Sequence, residues 1–93
     1  MSFKVRLSRR FVRESKQFFR KHPELESVYE RVVEDLRSDP FQPRLRLHAL
    51  KGEFDGLHAI SLTYSYRITL TLLVTEQEVI LLHIGTHDEV YRR

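Results

Sequence analysis

LHAISLTYSYRITLTLLVTEQEVILLHI, residues 57–84, decides the fold. It divides into three runs, 57–66, 67–74 and 78–84, each rich in β-branched residues, leucine and aromatics, as strands are. The polar TEQE at 75–78 turns the second run into the third. Leu72-Leu73-Val74 and the stretch from Val79 to Leu82 are continuously apolar, which predicts central strands covered on one face by helices.

The helices lie upstream. Phe3, Val5 and Leu7 alternate with Lys4 and Arg6, the period-2 pattern of one further strand. Ser8 is placed to N-cap a helix whose apolar face is Phe11, Val12, Ser15, Phe18 and Phe19. His22-Pro23 ends that helix, because the residue before proline avoids the helical region, and proline suits the start of the next one. Leu25, Val28, Tyr29, Val32, Val33 and Leu36 form the second helical stripe, which SDP at 38–40 stops. Residues 40–56 hold two prolines and two glycines without helical period, a loop with a short extended piece around LRLHAL. The expected fold class is α+β, in the order β-α-α-β-β-β: an antiparallel meander sheet covered on one face by a two-helix hairpin. The other face, with the 40–56 loop and the tail, is left free to bind.

The chain has 93 residues, so residues 1–93 are expected to form one domain. Apolar residues make up 41% and charged residues 31%, which excludes a disordered chain. With no cysteine, neither a disulfide framework nor a thiolate zinc site is possible. No signal-like h-region and no membrane-length apolar run appears, and the expected location is the cytoplasm. Residues 1–21 carry eight basic side chains against Glu14, a balance of +7, and since the whole chain is +3 the remainder is −4. That basic segment faces either nucleic acid or acids elsewhere in the fold, and the acid-rich second helix is expected to neutralise part of it.

Five histidines stand at positions 22, 48, 58, 83 and 87. His22, at a helix junction, and His83, inside the last strand, read as structural. His58, at the start of a strand, reads as a rim residue or a site wall. His48 sits in RLHALKG, and His87 in GTH, where Gly85 is expected to break the last strand and turn the following side chains outward. Two loop histidines of this kind are either a general base and acid or two solvated side chains. Arg67 has no acid near it in sequence, and its planar guanidinium suits a phosphate. His83, His87, Asp88 and Glu89 lack the spacing of a metal site, and no metal or cofactor is expected.

Four segments resemble the RelE/ParE superfamily of type II toxins, most closely its YafQ-like and RelE-like mRNA interferases: RLHALKG (46–52), GLHAISL (56–62), YRITL (66–70) and IGTHDEVY (84–91). The resemblance spans nearly the whole chain and implies a metal-independent endoribonuclease that cuts mRNA on the ribosome by 2′-hydroxyl attack. On this resemblance His48 takes the place of the base, His87 of the acid and Arg67 of the phosphate clamp. Lys51 would add charge, Tyr91 would stack on a base or close the site, and Arg44, Arg46 and His58 would bind RNA. The chain departs from the YafQ pattern at Ser61, where a further histidine stands in those proteins, and at Ser65-Tyr66, where they carry Asp-Trp. The implied partners are a cognate antitoxin, the ribosome and mRNA, with no membrane and a monomeric free toxin. Two alternatives stay open: a ParE-like toxin that binds DNA gyrase, and a degenerate toxin that only binds its antitoxin. Arg92-Arg93 read as a basic end.

Overall fold

The computed structural model describes residues 2–91, so Arg92 and Arg93 lie outside the described residues. Strand β1 (Lys4–Leu7) leads into helix α1 (Arg9–Lys21) and helix α2 (Glu26–Ser38). After a loop come β2 (His48–Ala49), β3 (His58–Ser61), β4 (Tyr66–Leu73), β5 (Glu78–Thr86) and a short helix α3 (His87–Tyr91).

The local signals act as their chemistry dictates. The Ser8 hydroxyl accepts from the Phe11 N–H at 3.0 Å and starts α1. His22 ends it with an N–H bond to the Phe18 carbonyl, and Pro23 opens the turn into α2. Asp39 closes α2, and its side chain accepts from the Phe41 N–H in an Asx turn.

The five strands form one sheet in the order β1-β5-β4-β3-β2. β3, β4 and β5 are the expected antiparallel meander, while β1 joins the far edge of β5 in parallel, with Val5 opposite Val79. The sheet is therefore mixed. Ile60, Ile68 and Ile84 are cross-strand partners and share one face, which buries them with Phe11 and Phe18 of α1 and Val32 and Leu36 of α2. Leu45 from the loop completes this core at 1% exposure.

Four local expectations are corrected. The run 57–66 stops being a strand at Ser61, because Leu62–Ser65 form the turn in which the Leu62 and Thr63 N–H groups bond the Tyr66 carbonyl. The extended piece around LRLHAL shrinks to the two residues of β2, paired with β3. Gly85 does not break β5: it pairs with Arg67, and the strand runs on to Thr86. The tail after it is helix α3. The expected neutralisation of α1 by α2 is also absent among the described residues: Glu34 and Asp35 pair with Arg37 and Arg44, while the only ion pair made by an α1 cation is Arg10 with Glu14 of the same helix.

Candidate active site

The register of the sheet sorts the candidate side chains onto its two faces. Ser61, Arg67 and Gly85 form one cross-strand row, and His48, Ala59 and Thr69 form the next. Arg67 and Thr69 are two residues apart on β4, so both rows point to the same face, opposite the one that carries Ile68 and the helices. His48 and Arg67 therefore share the face that the hairpin leaves uncovered. From ordinary strand spacings, two strands across and two residues along, their Cα atoms stand about 12 Å apart. His58 falls on the other face, with Ile60 and Leu70, and its buried Nδ1 has no partner there. It does not join Arg67.

Helix α3 brings the remaining groups to the same region. Its start is a reciprocal capping box: the Thr86 N–H donates to Glu89 Oε1 at 2.8 Å, and the Glu89 N–H donates to Thr86 Oγ1 at 3.2 Å. This sets the direction of His87, the first helical residue, whose side chain is 64% exposed. The His87 ring lies 4.5 Å from the Tyr91 ring, and the Phe54 ring backs Tyr91 at 5.7 Å. Burial raises the Tyr91 phenol above its ordinary value of 10.0, and the positive charge of Arg67 draws the value back down. The rings of His87, Tyr91 and Phe54 form one cluster within reach of the Arg67 charge, and Arg67 is flanked in its row by the small residues Ser61 and Gly85.

His48 is exposed on the edge strand, with Nδ1 2.9 Å from the Arg46 carbonyl. A carbonyl can only accept, so Nδ1 carries the proton and the neutral ring keeps its lone pair on Nε2. Arg46 itself sits in the left-handed region at φ 55°, an uncommon backbone for a non-glycine residue. A cleft of 780 Å³ contains Arg31, Arg44, Arg46 and Arg67, with Tyr64 on its rim and Glu34 and Asp35 as its acids. Arg44 is tied to Asp35 Oδ1 at 2.7 Å, so its first partner is internal. Lys51 is exposed at the start of the turn that carries Phe54.

Two features escaped the reading of the sequence. Thr86-x-x-Glu89 is a legible capping-box signature, hidden by the expectation that Gly85 would break the strand and turn the following side chains outward. Phe54 has no local signal, because its contact with Tyr91 is tertiary. His83 is buried, as a structural histidine should be, with Nδ1 3.2 Å from Glu14 Oε2. Among the described residues no group of three or more histidine, aspartate or glutamate side chains converges as metal ligands would.

Solved structures share this fold over nearly their full length. A copper-bound point mutant of a toxin from Helicobacter pylori is 27% identical, with 96% of this chain and 99% of that one covered and a TM-score of 0.77. The fold is that of the RelE/ParE toxins. YafQ from Escherichia coli superposes with a TM-score of 0.78 at 13% identity, covering 96% of this chain and 98% of its own. A RelBE2 toxin–antitoxin complex from Mycobacterium tuberculosis gives 0.71 at 20% identity, over 94% and 100%. No family model matches the chain, and no curated protein matches it in sequence. Within the RelE/ParE fold, Arg67 stands where β4 begins, and His87 and Tyr91 stand in the short helix that follows β5. Among the described residues no helix is long and apolar enough to cross a membrane.

Proposed function

We propose that the chain is the toxin of a type II toxin–antitoxin pair and a metal-independent endoribonuclease that cuts mRNA on the ribosome. The observation that carries this reading is that Arg67 and His48 share the sheet face away from the helical hairpin, with the His87–Tyr91 ring pair within reach of the Arg67 charge. His48 Nε2 takes the proton of the 2′-hydroxyl, whose oxygen attacks the adjacent phosphorus. Arg67 meets the charge that develops on the phosphorane oxygens. The bond to the 5′-oxygen breaks as His87 delivers a proton to it, leaving a cyclic phosphate and a free 5′-hydroxyl. Tyr91, half-buried between His87 and Phe54, presents an edge on which a base can rest.

The α1 surface supplies the grip. Arg9, Arg13, Lys16 and Arg20 recur at i, i+4, i+7 and i+11, one stripe along the helix, and all four are exposed. Such a stripe binds RNA phosphates without reading sequence. An antitoxin with an acidic segment fits the same surfaces. The free toxin acts as a monomer in the cytoplasm.

Cell-free translation followed by primer extension on the message tests the proposal. Cleavage only in the presence of ribosomes, lost in Arg67→Ala and His87→Ala, is the expected result. Intact mRNA with blocked gyrase supercoiling would replace the nuclease by a ParE-like toxin. Antitoxin binding with neither effect would leave a degenerate toxin.

A further inference from the structure

Glu14 is the only acid among residues 1–21, and its carboxylate is turned onto β5. Oε2 accepts from Arg10 Nε at 3.1 Å and from His83 Nδ1 at 3.2 Å, and Oε1 accepts from the Ile84 backbone N–H at 3.3 Å. The reason lies in the length of β1. It accompanies β5 only from Glu78 to Leu81, and the last bond between the two segments runs from the Ser8 N–H to the Leu81 carbonyl. Beyond that point the outer edge of β5 has no strand beside it, although β5 continues to Thr86. Glu14 stands where the acceptor of a longer β1 would stand.

The two residues it holds come directly before Gly85, Thr86 and His87. We propose that Glu14 is a positioning residue of the active site described above: it fixes the free end of β5, and through it the angle at which α3 leaves the sheet. This inference rests on the nuclease reading for its effect on rate, but not for its effect on structure. The carboxylate is specific to the task. Three donors converge on its two oxygens, and a glutamine would keep one oxygen while turning an N–H₂ group toward at least one of those donors. Phe18, Ile84 and Val90 line the same 380 Å³ cleft as Glu14, so the anchor works beside apolar packing that stays in place when the carboxylate is replaced.

The test is Glu14→Gln in the full chain, read in two independent ways. In single-turnover cleavage of ribosome-bound message, the rate is expected to fall about tenfold or more while half-saturation stays within about twofold, because misplacement acts on chemistry and leaves the RNA-gripping side chains untouched. In hydrogen exchange, the Ile84 and Thr86 amides are expected to open about tenfold faster, with Ile60 and Ile68 unchanged. A wild-type cleavage rate in Glu14→Gln, or a uniform acceleration of exchange across the sheet, overturns the proposal. Should Glu14→Gln fail to fold, His83→Asn and His83→Leu take its place. Asparagine keeps a donor near the Nδ1 position and is expected to retain the rate, whereas apolar leucine is expected to lose it; equal rates in the two overturn the inference. If the wild-type chain cuts no RNA at all, the nuclease reading fails, and the side-chain resonances of His87 and Tyr91 decide the structural claim. Their displacement in Glu14→Gln supports it, and unchanged positions sink it.

Discussion

Glu89 folds back over Gly85 so closely that a Cβ at position 85 would lie 2.8 Å from its Oε1 and 3.0 Å from its own Cβ. The glycine is needed for close approach, not for flexibility: it continues β5 opposite Arg67 and leaves space for the carboxylate that caps α3. Gly85→Ala is expected to push Glu89 off the Thr86 N–H and to cost about 1 kcal/mol, the ordinary worth of a helix cap. Glu89→Ala should cost a similar amount. The two share one interaction, so the double variant should lose far less than the sum in a thermal or denaturant double-mutant cycle. Full additivity would show that the capping box does not hold α3.

Arg67 and Tyr91 are coupled through charge. Replacing Arg67 by alanine removes the cation that opposes the effect of burial, so the Tyr91 phenol should titrate at still higher pH. Ultraviolet difference titration against Tyr91→Phe isolates that phenol. The same Arg67→Ala variant should cleave on the order of 10²–10³ times more slowly, as when one preorganised donor to a developing oxyanion is removed.

His48 carries the base assignment. His48→Ala should slow cleavage by about 10²–10⁴, the range for a positioned general base, without weakening ribosome binding. If the variant cuts at the wild-type rate, another group takes the 2′-hydroxyl proton.

The stripe of Arg9, Arg13, Lys16 and Arg20 enters no ion pair among the described residues, so replacing all four with glutamine should leave thermal stability within about 0.5 kcal/mol per site. RNA binding should weaken, and the slope of log affinity against log salt should flatten by about 0.7–0.9 for each phosphate that the variant no longer neutralises. An unchanged slope would move the RNA-gripping surface elsewhere.

Stability should fall on the alkaline side. Burial raises both Tyr29 and Tyr91 above 10.0, with Arg37 opposing the shift at Tyr29 and Arg67 at Tyr91. Above pH 10 the unfolded chain has released phenolic protons that the folded chain still holds. The native state then binds more protons, and unfolding free energy declines as pH rises through the folded values. Below pH 10 this contribution is fully present. Tyr29→Phe should reduce the alkaline decline in urea melts between pH 9 and pH 11, and an identical decline in the variant would remove Tyr29 from the account.

The candidates His48, Arg67 and His87 are marked in the sequence by residue type and by the turns and strands around them, because that signal is local to short segments; the contact of the His87 ring with Tyr91 is set by helix α3. The placement of His58 was not legible in the same way. Its face depends on register with Leu70 across β4, and a shift of one residue inverts every side chain on a strand. Arg44 looked like a free cation for RNA, but Asp35, nine residues earlier, takes it.

By itself, the sequence determined the meander, the helical hairpin and the boundary at Ser8, because periodicity, capping and proline sterics act within a few residues of chain. Tertiary structure alone decided that β1 lies parallel to β5, that Gly85 stays in the strand, and that Phe54 backs Tyr91. Each of these joins partners separated by tens of residues, or, at Gly85, turns on pairing with Arg67 across the sheet. The tendency of glycine to break a strand is a weak local preference. It is overridden where a neighbouring strand supplies hydrogen bonds and a carboxylate fills the space its missing side chain leaves.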